Sequence, residues 1–281
     1  MKKHQSNIRK KRPVSSGRKR RKRKVKKIQI SASGLAAIFT VLLALAVVIA
    51  IPHIKEMSNS DRGCKVPSGY HCYGIDISKY QPHIRWEALT VMTDAQGHTT
   101  KSITKAMDIR KVDYVFIKAT EGISLKDKYF HKHWKNAGKH GVKRGAYHFF
   151  RSSKDAKQQA LHFIQTVGPL SPDDLPPVLD IETIHKGCSQ KTLNDMALTW
   201  LRTVEQHYGR KPIVYSSASF IESHLCKEII ENYPIWVAHY GTSSPRCDKW
   251  HIWQFADNAQ IYGIDGEVDI NVTTEQTLRS L

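Results

Sequence analysis

The chain has 281 residues, of which 44 are Lys or Arg and 25 are Asp or Glu, and 40% of its residues are hydrophobic. This hydrophobic fraction is typical of globular proteins and excludes a wholly disordered chain. The formal net charge of +19 comes mainly from residues 1–27, which carry 15 Lys or Arg and no acid, so the remainder holds 29 basic against 25 acidic residues. The excess of basic residues therefore lies in the N-terminal tail and gives no evidence that the whole protein binds nucleic acid.

An uncharged and largely apolar stretch, Ile28–Ile54, follows the basic tail. As a helix that rises ~1.5 Å per residue it is long enough to cross a ~30 Å hydrocarbon layer, and it exceeds the ~7–15 apolar residues of a cleaved signal sequence. We therefore predict a single uncleaved transmembrane anchor. The positive-inside rule keeps residues 1–27 in the cytoplasm and places the rest in the periplasm or outside the cell. The tail has no aromatic residue to stack on bases, so no nucleic-acid partner is predicted.

The rest of the chain divides into a polar linker, residues 55–69, and a predicted folded domain, residues 70–281. All five cysteines follow the predicted anchor, and disulfides are permitted outside the cytoplasm. Cys64 and Cys72 are close enough in sequence to close a small loop, whereas the connectivity of Cys188, Cys226 and Cys247 stays open. None of them has the short paired spacing of a zinc site, so we predict no metal.

Short β-rich segments alternate with longer amphipathic segments from Tyr70 onward. The predicted strands are Tyr73–Ile77, Tyr114–Ala119, Gly145–Phe149, Pro177–Ile181, Pro212–Tyr215, Ile235–His239, His251–Phe255 and Val268–Ile270. The predicted helices are Ile84–Met92, Tyr129–Lys139, Lys154–Val167, Gln190–His207 and Ser219–Ile230. This order is typical of a mainly parallel sheet, and the eight strands predict a compact, partly incomplete (β/α)8 barrel.

Acidic residues stand where the active face of such a barrel is expected, at strand ends. They are Asp76, Asp180, Glu182 and Asp269. Because strand side chains alternate with period two, Asp180 and Glu182 share a face. Two like charges so close do not both ionise at low cost, so one keeps its proton to higher pH, as a general acid requires. Such a pair suits the cleavage of a glycosidic bond, with the longer Glu182 as proton donor. The alternative to a catalytic role is a structural one, in which Asp180 and Glu182 form a helix N-cap with a partner at the surface.

Aromatic and amide side chains surround these acids in the predicted barrel. They are Tyr80, Tyr147, His148, Tyr215, Trp236, His239, Tyr240, Trp253 and Gln254. Aromatic rings pack on the apolar faces of sugars, and hydroxyl and amide groups reach the sugar substituents. Each could instead be a core residue, Trp253 above all. We take Tyr147, Tyr215, Trp236 and Gln254, with Lys118 and Asp269, as candidate substrate-binding residues.

The ordered motifs resemble those of glycoside hydrolase family 25, the lysozymes that are N-acetylmuramidases. The matching segments are Gly74–Ser78, Phe116–Gly122, Gly145–Phe149, Asp180–Glu182, Tyr215–Ser217, Trp236–Tyr240, Trp253–Phe255 and Val268–Asn271. The resemblance implies a flattened β/α barrel that cleaves the β-1,4 bond between N-acetylmuramic acid and N-acetylglucosamine in peptidoglycan, without a cofactor.

The same resemblance implies roles for individual residues. Glu182 resembles the catalytic acid, Asp180 its partner, and Asp76 and Asp269 the remaining acids of the pocket, while Tyr147 and Tyr215 resemble residues that hold the sugar. Lys118 could bind substrate or form a structural ion pair. The nucleophile is either a carboxylate of the enzyme or the acetamido oxygen of the substrate, and the sequence leaves this choice open. The acids resemble those of family members in which the acetamido oxygen attacks.

Two features depart from the family pattern, namely the anchor and a polar insertion at Thr93–Arg110. The insertion is interpreted as a solvated loop, with a rim of the substrate groove or a partner contact as alternatives. The anchor favours remodelling of the local cell wall. A non-catalytic module that binds peptidoglycan from a membrane tether is the alternative function, and the oligomeric state stays open.

Overall fold

The computed structural model describes residues 63–281. The predicted basic tail, the predicted anchor Ile28–Ile54 and most of the predicted linker lie outside the described residues. Within residues 63–281, no helix is both long enough and apolar enough to cross a membrane.

All eight predicted strands are present, and three short strands accompany them. The strands are β1 Cys72–Ile77, β2 Thr90–Thr93, β3 Asp108–Lys111, β4 Tyr114–Glu121, β5 Leu125–Lys126, β6 Lys143–Phe149, β7 Val178–Asp180, β8 Ile213–Ser217, β9 Ile235–Ala238, β10 Ile252–Ala259 and β11 Val268–Thr273. The helices are α1 Phe130–Lys139, α2 Ala156–Val167, α3 Gln190–Tyr208, α4 Ala218–His224, α5 Lys227–Asn232 and α6 Glu275–Ser280, and a 3₁₀ turn covers Trp86–Ala88.

The sheet closes into a barrel because β1 pairs with both β4 and β11. Neighbouring strands are parallel from β1 through β4, β6, β7, β8 and β9 to β10. The last strand, β11, is antiparallel to both β10 and β1. In the described chain, α-helices connect the strands only between β4 and β9. The prediction of an eight-stranded, partly incomplete β/α barrel is confirmed.

Two helix predictions are corrected by the structure. The predicted helix Ile84–Met92 is a 3₁₀ turn followed by β2, because the β-branched residues at 90, 91 and 93 pair with β3 and bury Val91. The predicted helix Ser219–Ile230 is broken into α4 and α5 at Leu225, whose backbone is extended. The backbone N–H of Cys226 there donates to Asn194 Oδ1 at 2.8 Å, which satisfies the freed donor.

Alternating strand residues separate the barrel interior from the layer between strands and helices. Tyr114 and Phe116 lie in the interior, whereas Val115 and Ile117 pack in the outer layer. Glycines make room for the interior rings: a Cβ on Gly74 would lie 2.0 Å from the Tyr114 ring. The same alternation places Asp76, two residues after Gly74, on the interior face.

The insertion Thr93–Arg110 forms an ordered hairpin and does not remain a simple solvated loop. β2 enters it, β3 leaves it, and residues 97–99 pair with the segment that opens the domain. Gly63 N–H donates to Thr99 O at 2.8 Å, and Val66 N–H donates to Gly97 O at 2.9 Å. The insertion therefore holds residues 63–66 against the barrel.

The disulfide expectation is wrong for the described residues, which include all five cysteines, because each of them is a free thiol. Cys64 lies beside Thr99 and packs at the edge of the outer layer, whereas Cys72 faces the barrel interior. The small loop between them does not bring the thiols together because they lie on different faces of the sheet. Burial raises the pKa of Cys64 to about 11 and that of Cys72 to about 12.

Candidate active site

A cleft of about 240 Å³ opens at the end of the barrel where the parallel strands finish. Its lining residues are Asp76, Ser78, Tyr80, Lys118, Tyr147, Phe149, Asp180, Glu182, Tyr215, Trp236 and Asp269. All four predicted acids thus meet in one site. Asp180 is the last residue of β7, and Glu182 lies two residues further along the chain. Because side chains alternate with period two, both carboxyls point into the cleft.

Asp269 reaches this end of the barrel for a reason that the sequence pattern does not reveal. β11 runs against its neighbours, so its first residues, and not its last, lie at the active face. Asp269 is directly opposite Asp76 in the β1–β11 register, and the two carboxyls are hydrogen-bonded to each other. Burial, followed by repulsion from Asp76, raises the pKa of Asp269 to about 9.

Asp76 is held by two amide side chains. Gln254 Nε2 donates to Asp76 Oδ2 at 2.9 Å, and Asn271 Nδ2 donates to the same oxygen at 2.8 Å. Burial raises the pKa of Asp76, and these hydrogen bonds oppose that effect because they stabilise the carboxylate. Asp76 is therefore a fixed acceptor at the floor of the cleft.

A second tier of donors fixes those two amides. Trp236 Nε1–H donates to Asn271 Oδ1 at 2.7 Å, while the Tyr215 and Tyr240 hydroxyls donate to Gln254 Oε1 at 2.7 and 2.6 Å. Each amide oxygen is thereby engaged, so each NH₂ group is oriented toward Asp76.

Asp180 and Glu182 occupy different environments although they share the cleft. Asp180 is 5% exposed, and Glu182 lies at the surface. Burial, with repulsion from the hydrogen-bonded Glu182 carboxyl second, raises the pKa of Asp180 well above its usual range. Among residues 63–281, none donates a hydrogen bond to Asp180 Oδ1.

Lys118 forms the ion pair considered for it and also lines the cleft. Its ammonium donates to Glu121 Oε2 at 2.7 Å, and it also lines the cleft and lies 4.7 Å from the centroid of the Phe149 ring. Glu121 in turn accepts a hydrogen bond from Arg151. The positive charge of Lys118 lowers the pKa of Asp180 and partly offsets its burial.

The predicted substrate-binding aromatics line the cleft to different degrees. Tyr147 and Tyr215 border it, and burial raises the pKa of each phenol well above its usual range. Trp236 is only 2% exposed and stacks on Phe116 with ring centroids 4.6 Å apart. Trp236 is therefore mainly a supporting residue whose edge reaches the cleft.

Three further residues of the aromatic and amide group are buried away from the cleft. Gln254 is 1% exposed and serves to hold Asp76. Trp253 is fully buried and donates to His239 O, as its core interpretation expects. His148 is hydrogen-bonded to Thr120 and Gln159, and burial lowers its pKa to about 3, so it is neutral.

Sequence reasoning assigned no site role to Asn271, and it named Tyr240 among the aromatic residues around the acids without selecting it as a substrate-binding residue. Asn271 stands in the quoted Val268–Asn271 motif, and its separation of two residues from Asp269 was the available signal. Tyr240 is 43% exposed and borders a second cavity of about 310 Å³, which shares Glu182 and Tyr215 with the first. The groove therefore extends past Glu182 toward Tyr240.

The described part of the chain contains no group of three or more His, Cys, Asp or Glu side chains arranged to hold a metal ion. The chemistry available to the cleft comes from its own four carboxyls, one ammonium and the surrounding aromatic rings. Carboxyls in unequal environments at the mouth of a β/α barrel are the groups that hydrolysis of a glycosidic bond requires.

Comparison with known proteins places the chain in a family of glycosyl hydrolases. The family "Glycosyl hydrolases family 25" matches residues 75–264, and the chain belongs to it. It is a glycoside hydrolase of the lysozyme type. The confirmed resemblance extends over the barrel strands from β1 to β10.

The chain is also similar to individual proteins, one of them uncharacterized and one a lysozyme. The chain is 40% identical over 210 residues to YegX of Escherichia coli strain K12, covering 74% of this chain and 71% of that protein. It is 31% identical over 212 residues to Lysozyme M1 of Streptomyces globisporus, covering 70% of this chain and 66% of that protein.

Solved structures share the fold. A bacterial lysozyme from Streptomyces coelicolor superimposes with a TM-score of 0.63 at 28% identity, covering 76% of this chain and 98% of that one. A family 25 glycosyl hydrolase from Bacillus anthracis superimposes with a TM-score of 0.63 at 26% identity, covering 78% of this chain and 96% of that one.

Proposed function

We propose that the protein is a muramidase that cleaves the β-1,4 bond between N-acetylmuramic acid and N-acetylglucosamine in peptidoglycan. The observation that carries the proposal is the pairing of buried Asp180 with exposed Glu182 in one cleft. Family membership and the similarity to Lysozyme M1 support the substrate class. A non-catalytic peptidoglycan-binding module would not need two hydrogen-bonded pairs of acids in one cleft.

Glu182 is the proposed proton donor to the leaving oxygen. It borders both cavities, so a glycan laid along the groove passes over it with one sugar on each side. A group at this junction is within reach of the oxygen between the two sugars. Protonation of that oxygen by a positioned carboxyl is the general acid step of glycoside hydrolysis.

Asp180 is the proposed partner that stabilises positive charge on the sugar ring. Burial beside Glu182 raises the pKa of Asp180, which favours a single proton held between the two carboxyls. When positive charge develops on the ring, Asp180 gives up this proton to Glu182 and becomes the carboxylate, and Glu182 passes the same proton to the leaving oxygen. Asp180 lines the cleft, where its carboxylate is the proposed acceptor of a hydrogen bond from the acetamido N–H, and this arrangement favours attack by the acetamido oxygen over a carboxylate nucleophile.

Mass spectrometry of the fragments released from purified peptidoglycan tests the bond that is cleaved. A muramidase releases fragments that end in reducing N-acetylmuramic acid. Fragments that end in reducing N-acetylglucosamine would instead assign the enzyme a different specificity. Intact strands with no fragments would refute the enzymatic function.

We further propose that the enzyme is held at the outer face of the cytoplasmic membrane by Ile28–Ile54 and remodels the adjacent wall. The support is the uncharged, apolar sequence of this stretch and the basic residues before it. Flotation of the full chain with vesicles, together with protease digestion of the exported domain in intact spheroplasts, tests this topology. A chain that stays in the soluble fraction would contradict it.

A further inference from the structure

A third cavity, of about 770 Å³, continues the groove beyond Tyr240. It is lined by Cys64, Lys65, Val66, Pro67, Ser68, Tyr240, Gly241, Thr242, Ser243, Phe255, Ala256, Asp257 and Asn258. Tyr240 also borders the cavity of about 310 Å³, which in turn shares Glu182 with the catalytic cleft. The three cavities thus form one path away from the acids.

The wall that distinguishes this cavity is the segment that opens the domain, residues 64–68. Two backbone hydrogen bonds attach the segment to the insertion, one from Thr99 N–H to Cys64 O at 2.8 Å and one from Val66 N–H to Gly97 O at 2.9 Å. The Thr99 hydroxyl oxygen also accepts from the backbone N–H of Gln260 at 3.0 Å, which ties the insertion to the end of β10. The insertion does not line the cavity itself, but it holds this wall in place.

The floor of the cavity is an edge of β10 that, among residues 63–281, no other strand pairs with. β9 pairs with β10 only at Ile252, Trp253 and Gln254, because β9 ends at Ala238. Beyond Gln254, β10 continues through Phe255–Asn258 along the cavity, while its other edge remains paired with β11 through two register shifts. An unpaired strand edge beside a groove is the feature by which proteins bind extended peptides through main-chain hydrogen bonds.

The side chains around this edge also suit a peptide better than a sugar. The exposed Lys65 lies on one wall and the exposed Asp257 on the floor, so the cavity offers charges of both signs. Its remaining polar lining consists of Ser, Thr and Asn, and only Tyr240 presents a substantially exposed aromatic ring, at the entrance. A sugar site draws on aromatic faces, whereas a peptide with free amino and carboxyl groups requires both charges.

We propose that this cavity binds the peptide that is attached to the peptidoglycan strand, so that the enzyme selects strands that still carry peptide. The proposal rests on the muramidase function. The peptide backbone pairs with the edge of β10 at Phe255–Asn258, Lys65 contacts a peptide carboxylate and Asp257 contacts a peptide amine. The catalytic cleft then receives the glycan while the third cavity receives its side branch.

Kinetics on matched substrates test the assignment. The same glycan strands are prepared with peptides and, after amidase treatment, without them, and reducing-end release by the full-length enzyme is measured on both. We expect the wild-type enzyme to have a lower KM for the peptide-bearing strands. Asp257→Asn and Lys65→Gln should each raise that KM roughly threefold to tenfold and leave kcat and the kinetics on bare strands unchanged.

Lys191→Gln and Asp195→Asn are the matched controls, because they make the same charge changes in an exposed ion pair on α3. Equal wild-type KM values for the two substrates would overturn the proposal. A loss that is equally large on bare strands would overturn it too, and would assign the cavity to further sugars. Release from neither substrate would refute the muramidase function itself, and this assignment with it.

Discussion

Replacement of Asp269 by Asn tests whether the raised pKa of Asp269 makes the folded protein less stable as pH rises. The folded protein raises the pKa of Asp269 from its ordinary value of 3.8 to about 9. Between these values the folded chain binds a proton that the unfolded chain has released, so the free energy of unfolding falls as pH rises. The amide introduced by Asp269→Asn carries no such proton, and it can still donate to Asp76. The variant should therefore gain stability over the wild type as pH rises from 4 to 7.

The magnitude follows from about 1.4 kcal/mol per pH unit, which sets a ceiling of about 4 kcal/mol at pH 7. Asp269 reaches the surface of the cleft and shares its proton with Asp76, so water reduces the expected gain to about 1–3 kcal/mol. Below about pH 4 the pH-dependent gain should vanish, because both the folded and the unfolded wild-type chains are then protonated.

Urea unfolding of the full chain in detergent, followed by tryptophan fluorescence between pH 4 and 8, measures this effect. All six tryptophans lie between Trp86 and Trp253, so the signal reports on the barrel domain alone. Asp265→Asn, in the exposed turn four residues earlier, is the control. A difference between variant and wild type that is constant with pH, or that shrinks as pH rises, would refute the proposed electrostatics of the cleft.

Two further substitutions test the packing and the charge around the acids. Gly74→Ala brings a Cβ to 2.0 Å from the fully buried Tyr114 ring, so it should lower the free energy of unfolding by about 3 kcal/mol or prevent folding; an unchanged urea midpoint would contradict this packing. Lys118→Met removes the cation that lowers the pKa of Asp180, so the rising limb of the kcat/KM profile should move to higher pH; an unshifted profile would show that Lys118 has no electrostatic role.

The sequence predicts the barrel well because its strongest signals are local. Each strand carries a short β-rich run, and the spacing of Asp180 and Glu182 alone places both on one face. Where the structure departs from the prediction, the secondary structure is determined by pairing with a strand that is distant in sequence. Residues 84–92 have the length of a helix, but Val91 is buried in a hairpin with β3, a strand 15 residues further along the chain.

The site was harder to predict where residues act through others. Asp269 was selected as if it ended a parallel strand, and only the antiparallel direction of β11 explains how it meets Asp76. Trp236 and Gln254 were chosen as sugar contacts on residue type, yet both are buried and fix the position of Asp76. No local pattern reports that Asn271 links Trp236 to Asp76, since this depends on distances between three different strands.

The most direct test of the central claim compares reducing-end release from purified peptidoglycan by the wild-type enzyme and Glu182→Gln. The substitution keeps the shape of the side chain but leaves no acidic proton to donate. Because Glu182 is exposed, the variant should unfold at the wild-type urea concentration. We predict that kcat/KM falls about 10²- to 10⁴-fold, while Glu222→Gln, an exposed control on α4, retains wild-type activity. Near wild-type release by Glu182→Gln would contradict the assignment of the acid pair as the catalytic centre.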